Sequence, residues 1–308
     1  MVNIYNNVSK NIAKTWLLMF SFFILAIILG YFLSVYYGNP DILYFFVLFS
    51  ILMNFFSYYF SDKIVLSLAG AKEANREENF ALYTTVENLA ITAGLPKPKI
   101  YIIPDSAPNA FATGRDKNHA VIAVTTGLLN ILDKTELEGV LSHEMSHIGN
   151  RDMLISTIVV VLVGFISIAS DMFRRNLFLS RNNDKENNNG VFLLIGIILS
   201  ILAPLFALLI QLAISRKREF LADSSGALLT RYPEGLANAL RKIGEYSKPM
   251  TRQSSAIAHL YIADPKGGGF GLSAYGGAKG DQGKKVVGLF ATHPPIDKRI
   301  EALIGKQN

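Results

Sequence analysis

Two stretches without a charged residue dominate the first fifth of the chain. Trp16 to Tyr37 spans 22 residues and Ile42 to Ser61 spans 20. At 1.5 Å of rise per residue each gives a helix of about 30 Å, the thickness of a bilayer's hydrocarbon core. Gly38-Asn39-Pro40-Asp41 between them closes a helical hairpin. The first run is longer than the apolar core of a signal peptide and lacks a small-x-small cleavage site before Gly38, so it reads as an uncleaved anchor. Lys10 and Lys14 precede it, the turn carries only Asp41, and Lys63, Lys72 and Arg76 follow the second run. The positive-inside bias places both ends of this hairpin in the cytoplasm.

Two more apolar runs lie further on. Met153 to Ser170 is uncharged over 18 residues, and Val191 to Ser215 over 25, interrupted by Pro204 and Gln211. The loop between them holds Arg174, Arg175, Arg181 and Lys185. Either the first hairpin dictates orientation and this loop lies outside, or these helices do not fully cross. Both readings return the chain to the side it left. The organisation expected is therefore an N-terminal hairpin (1–61), a first catalytic part (62–152), a second hydrophobic hairpin (153–215) and a second catalytic part (216–308).

Only 18% of the residues are charged, against about 25% in an ordinary soluble protein. The net charge of +6 gathers beside the apolar runs, which favours a membrane surface. No basic strip interleaved with aromatics stands out, so nucleic acid is not an expected partner. The absence of cysteine excludes disulfides, thiolate nucleophiles and thiolate-ligated zinc.

Between and after the apolar runs the composition is that of a soluble domain. Lys72 to Gly94 reads as one charged amphipathic helix ending at Gly94 with Pro96 beyond. Lys99 to Ile103 is a short strand, and Asn109 to Gly114 with His119 to Thr125 form a β-hairpin. Asp133 starts a helix as its N-cap, with Glu136 completing a capping box, and this helix runs through His147. Gly267 to Gly283 is a glycine-rich loop with no phosphate-cradle spacing. Pro294 and Pro295 open a last helix with Ile296, Ile300, Leu303 and Ile304 on one face.

The chemistry centres on His143-Glu144-Met145-Ser146-His147. Histidines at i and i+4 share one helix face, so both imidazoles can bind one Zn²⁺, and Glu144 can take a proton from the attacking water. The bland alternative is two surface histidines on an amphipathic helix. Catalytic zinc needs a third protein ligand. His119, His259 and His293 do not follow at the spacing of a third histidine ligand, so a carboxylate must serve. Glu219 and Asp223 lie four apart just after the fourth apolar run, so one can bind the metal while the other holds an imidazole. Glu219 could equally be a juxtamembrane charge paired to Arg216. His119 reads as a strand-end surface residue and His259 as a structural histidine.

In this order, the paired apolar runs, H-E-x-x-H, the second hydrophobic pair, Glu219-Phe-Leu-Ala-Asp223 and Thr292-His293-Pro294-Pro295 resemble the HtpX-type membrane metalloproteases, with type I CAAX prenyl proteases as more distant relatives. The resemblance spans nearly the whole chain. It implies an α+β, zincin-like (gluzincin) catalytic domain with four hydrophobic membrane helices in two hairpins. It implies Glu219 as third ligand of one Zn²⁺ and Asp223 as partner of a zinc histidine. His293 is the candidate donor to the oxyanion, a role that both the likeness and the chemistry of amide attack support, and Arg299 could supplement it. Asn109, Ala110 and Phe111 match a segment near the family's substrate cleft. The strand of Ala120, Val121, Ile122, Ala123 and Val124 is expected to hold extended substrate by β-addition.

The expected activity is hydrolysis of peptide bonds in unfolded, misfolded or damaged membrane proteins, at the cell (inner) membrane with the catalytic domain facing the cytoplasm. Three rivals stand beside it. A CAAX-type processing protease would carry more than four membrane helices. An intramembrane-cutting protease would bury H-E-x-x-H in an apolar helix, whereas here Glu136, Glu138 and Arg151 flank it. A transporter or membrane chaperone would give His143, Glu144, His147 and Glu219 no reason to meet.

Overall fold

A computed structural model describes residues 4–162, 216–252, 254, 256–265 and 294–305. The first hydrophobic hairpin is present as expected. Helix α1 (Ile4–Tyr37) and helix α2 (Asp41–Ala69) are joined by a turn in which Asn39 accepts from the Asp41 N–H at 2.9 Å. Val8–Val35 and Asp41–Ala69 are both long and apolar enough to cross a bilayer. Their outward faces carry Trp16, Phe20, Phe32, Tyr44, Phe45 and Phe55, all more than half exposed. Helix α2 does not stop at the composition change near Ser61. Asp62 and Lys63 are tolerated inside it, because charge does not break a helix; the stop comes at Gly70. There the backbone turns left-handed (φ 66°) and the Gly70 and Ala71 N–H groups return to Ser67 and Leu66 carbonyls.

The expected helix over Lys72 to Gly94 is corrected. Lys72–Glu73 is a strand, β1, and only Phe80–Ala93 is helix, α3. Tertiary pairing overrides the helical pattern: Lys72 pairs with Ile102, Glu73 with Tyr101, and Ala74 donates to the Ile100 carbonyl at 2.9 Å. The Asn75 side chain then accepts from the Glu77 N–H at 2.8 Å and turns the chain into α3.

Strands β2 (Lys99–Ile103), β3 (Ala110–Thr113) and β4 (Val121–Thr125) complete a sheet of order β1-β2-β4-β3. β3 and β4 form the expected antiparallel hairpin, and β4 runs parallel to β2. Successive residues of β4 face opposite sides. Ile122 and Val124 join a core with Val86, Leu141, Met145 and Leu240. Val121 and Ala123, with Phe111, join a second core with Val65, Leu66 and Tyr261. Both faces are covered, which is why β4 is apolar throughout. β4 is also interior to the sheet, with neighbours on both edges. The expectation that Ala120, Val121, Ile122, Ala123 and Val124 take an added substrate strand is therefore corrected; the edge strands are β1 and β3.

After β4, the Thr125 side chain caps α4 (Thr126–Ile131) at the Leu128 N–H, 3.1 Å. Asp133 and Glu136 form the expected capping box of α5 (Lys134–Asn150). Helix α6 covers Asp152–Leu162 of the third apolar run. Its Leu154, Ile155, Ile158, Val159 and Leu162 are buried against Leu18, Met19 and Phe22 of α1. The rest of the second hydrophobic hairpin, the glycine-rich loop and His293 lie outside the described residues. Three further helices close the domain: α7 (Arg216–Thr230), α8 (Pro233–Glu245) and α9 (Ile296–Ile304).

The approach of α7 to α5 brings the two candidate ligand segments together, and Gly226 permits it. A Cβ there would lie 2.9 Å from His143 N and 3.0 Å from Ser142 Oγ. Gly226→Ala should therefore push the helices apart and cost about 1–3 kcal/mol, the usual penalty of overpacking. A lowered melting temperature of the detergent-solubilised protein is the expected result. An unchanged or raised melting temperature would mean the contact is slack.

Candidate metal centre

Helix α5 carries His143, Glu144 and His147 on the side that faces α7 and β3. The two imidazoles stand nearly perpendicular, at 87° with ring centroids 4.7 Å apart. Their Nε2 atoms are 3.1 Å apart. Glu219 of α7 closes the group, with Oε2 3.8 Å from His143 Nε2 and Oε1 3.7 Å from His147 Nε2. One ligand atom from each of the three residues falls within 4.8 Å of the others. Bonds of about 2.0–2.1 Å at tetrahedral angles set ligand atoms about 3.3–3.4 Å apart, which these distances bracket. His143 is 1% exposed, whereas the His147 and Glu219 side chains keep 17% and 14%. The group is thus open on one side.

Each imidazole is oriented from behind. His143 Nδ1 lies 2.9 Å from Asp223 Oδ1, and His147 Nδ1 lies 3.2 Å from Asp152 Oδ2. A proton on each Nδ1 donates to its carboxylate and leaves the Nε2 lone pair free for a metal. The sequence reading anticipated Asp223 in this place but missed Asp152. Helix α5 ends at Asn150, and a left-handed Arg151 (φ 54°) reverses the chain to bring Asp152 back over His147. The available signal was an acidic residue set directly against an apolar run.

Arg299, expected to supplement His293 at the oxyanion, is placed elsewhere. It is 0% exposed, and each of its nitrogens is engaged. Nε and Nη2 donate to the two Asp223 oxygens at 2.9 and 2.6 Å, and Nη1 donates to the Ile262 carbonyl at 3.0 Å. Its expected role at the oxyanion is corrected by this placement: it fixes Asp223, and through it His143. It also stands 4.0 Å from Glu219 Oε2. His259 is structural as expected, with Nε2 3.3 Å from the Ser156 carbonyl. His119 is a surface residue paired to Asp116 and Arg115.

The charges argue for a divalent cation. Among the described residues, Glu144, Glu219, Asp223 and Asp152 converge here, opposed by Arg299 and Arg218. Two negative charges remain, which an ion of charge +2 balances. Without it, protons take its place. Burial pushes the Glu144 carboxyl up to about 7. At His147 burial opposes the charged ring, but Asp152, Glu219 and Glu144 outweigh it and raise the pKa to about 10. Burial lowers the pKa of His143. Burial would raise Asp223, but Arg299 and His143 hold it at about 2.

The expected substrate segment is placed differently. Asn109 spends its amide on Ala263, donating to the carbonyl at 2.9 Å and accepting from the N–H at 3.2 Å. The Ala110 carbonyl accepts from Ile262 N–H at 2.9 Å. Phe111 is fully buried, edge-on to Tyr261 at 5.2 Å. The expectation that Asn109, Ala110 and Phe111 contact substrate is corrected on these grounds: they bind the 258–265 segment to the sheet. Ala112 is the β3 residue at the site, where its backbone favours the ionised Glu144 carboxylate.

The model of Peptidase family M48 matches residues 76–307. A Protease HtpX homolog of Caldanaerobacter subterraneus subsp. tengcongensis is 45% identical over 97% of both chains. A Protease HtpX homolog of Thermoanaerobacter pseudethanolicus is 44% identical with the same coverage. One from Sulfurihydrogenibium sp. is 46% identical over 91% of this chain and 93% of its own. Among solved structures, the crystal structure of S. mikatae Ste24p is similar with a TM-score of 0.51 and 19% identity, covering 95% of this chain and 67% of that one. That likeness is one of fold. The histidine–glutamate geometry and the match over three quarters of the sequence agree, and this membrane protein belongs to peptidase family M48, the metalloproteases.

Proposed function

We propose that the chain is a zinc endopeptidase of the cell membrane, with its catalytic domain in the cytoplasm, that cleaves unfolded or damaged membrane proteins. The single observation behind the zinc assignment is the set of two imidazole Nε2 atoms and one carboxylate, with both Nδ1 atoms committed to buried acids. A zinc ion held by His143, His147 and Glu219 would polarise a peptide carbonyl and lower the pKa of water. Glu144 accepts the proton of the attacking water and delivers it to the leaving amine nitrogen. Its carboxyl is buried beside the ligand set, where it can serve both transfers. Asp152 and Asp223 keep the imidazoles in the metal-binding tautomer throughout.

The reading for substrate rests on the end of β3 from Ala112 to Thr113, past the Ala110 carbonyl that Ile262 takes. It is sheet edge beside Glu144, and a strand edge recognises main chain more than side chain. An extended polypeptide of varied sequence meets that requirement, and the two apolar helices hold the site near the bilayer. Degradation of misfolded membrane proteins is what the resemblance to the HtpX-type proteases implies. The intramembrane-cutting rival loses support, because the H-E-x-x-H helix packs on a sheet inside the catalytic core.

Glu144→Gln separates ligation from catalysis, since the amide keeps size and hydrogen bonding but removes the base. Hydrolysis of an unfolded protein should fall at least about 100-fold at unchanged zinc content. Equal hydrolysis by variant and wild type at equal zinc would end this reading. Orientation is tested separately, and the lack of native cysteine makes single cysteines clean reporters. A cysteine at Asn39 should react with an impermeant reagent from outside, and one at Asn118 should not. The opposite pattern would reverse the topology, while a cysteine at Asn188 reports whether the second hairpin crosses and brings the count of membrane helices to four.

A further inference from the structure

The buried stripe of α1 consists of Asn11, Thr15, Leu18, Met19, Phe22, Ala26 and Gly30. From Leu18 onward its members are apolar, and three of them pack on α6. Asn11 is the exception that needs a reason, because a buried amide is tolerated only when its polar atoms find partners. Thr15 does not supply one to the side chain; its hydroxyl returns to the Asn11 carbonyl at 2.9 Å. The Asn11 amide instead donates through Nδ2 to the Asn150 carbonyl at 3.1 Å, across 139 residues of sequence and in a buried setting.

Asn150 is the last residue of the H-E-x-x-H helix, so its carbonyl is one of those left without an intrahelical partner. The next residue, Arg151, holds the left-handed backbone that residues other than glycine seldom adopt. The residue after that is Asp152, 3% exposed, whose carboxylate reaches His147 Nδ1 at 3.2 Å. Two hydrogen bonds, joined by the three-residue stretch from Asn150 to Asp152, thus run from a membrane helix to a candidate zinc ligand. Asn11 holds the carbonyl, the carbonyl fixes the turn, the turn aims Asp152, and Asp152 orients the ring.

We propose that Asn11 is a positioning residue for the metal centre, setting the Arg151 turn and through it the Asp152 carboxylate that orients His147. The inference rests on the zinc reading above but adds to it a contribution from the first membrane helix. A purely architectural polar contact would stabilise the packing of α1 without favouring one metal ligand over the rest of the fold.

The test uses the full-length protein in detergent. Zinc dissociation constants are measured by competition with a chromophoric chelator for wild type, Asn11→Leu, which keeps volume but removes the donor, and Asn11→Gln, which keeps a donor. Each is repeated in an Asp152→Asn background, and the ligand-field bands of the Co²⁺-substituted proteins are recorded alongside. Loss of a carboxylate behind a metal histidine costs about 10–100-fold in affinity, so Asn11→Leu, one step further back, should cost about 3–10-fold. It should shift the Co²⁺ bands, Asn11→Gln should restore most of both, and Asn11→Leu should add nothing once Asp152 is Asn. Wild-type affinity and an unshifted Co²⁺ spectrum in Asn11→Leu would overturn the proposal. So would an equal loss in the Asp152→Asn background, which would mean action through the fold at large. Should Asn11→Leu fail to fold, Asn11→Ser, whose hydroxyl is too short to reach Asn150, gives the same comparison. Wild-type protein without tight zinc would sink the zinc reading and this inference together, whereas tight wild-type binding with indifferent variants would sink only the inference.

Discussion

Two imidazole lone pairs facing each other at 3.1 Å, with a carboxylate against both, repel unless a cation or a proton lies among them. The catalytic domain is organised around holding that arrangement. Asp133 and Glu136 start α5 at a fixed residue, the apolar face of α5 locks it to the sheet, and Gly226 lets α7 approach close enough for Glu219 to arrive. The acids behind the rings then forbid the tautomer that would relieve the repulsion. Asp223 is held by a two-pronged Arg299, and Asp152 shares its surroundings with Arg218. Each ligand histidine is thus backed by an acid with an arginine near it, and the charge left over is that of one divalent ion.

Local rules explain what could be read in advance. His143 and His147 announce themselves because four residues make one helical turn, and that holds wherever the helix sits. The capping box at Asp133 and the hairpin of β3 with β4 are likewise decided by neighbours in sequence. Most of the failures involve partners far away in sequence. Lys72–Glu73 is a strand because Tyr101 and Ile102 offer it an edge, and β4 is interior because β2 lies parallel beside it. Arg299 was expected to supplement His293 at the oxyanion, yet Asp223, 76 positions earlier, takes it out of solvent. Asp152 needed the left-handed turn at Arg151, a conformation the sequence gives no reason to expect.

The membrane helices are more than an anchor to this site. Helix α1 touches the end of α5 through Asn11 and packs along α6 immediately after Asp152. Helix α2 continues past its apolar run and lodges Val65, Leu66 and Ala69 against the far face of the sheet. The boundary between membrane hairpin and catalytic domain is therefore a change of composition inside a continuous helix. Physical continuity of this kind ties the hairpin to the catalytic domain through packing as well as through the chain.

The most direct measurement is zinc K-edge X-ray absorption on the purified, zinc-loaded protein. The expected spectrum shows only nitrogen and oxygen neighbours at about 2.0–2.1 Å, with the multiple-scattering signature of two imidazoles. Glu219→Gln should change the oxygen contribution while leaving both imidazoles in place. A spectrum with one imidazole or none, or one indifferent to Glu219, would contradict a metal held by His143, His147 and Glu219.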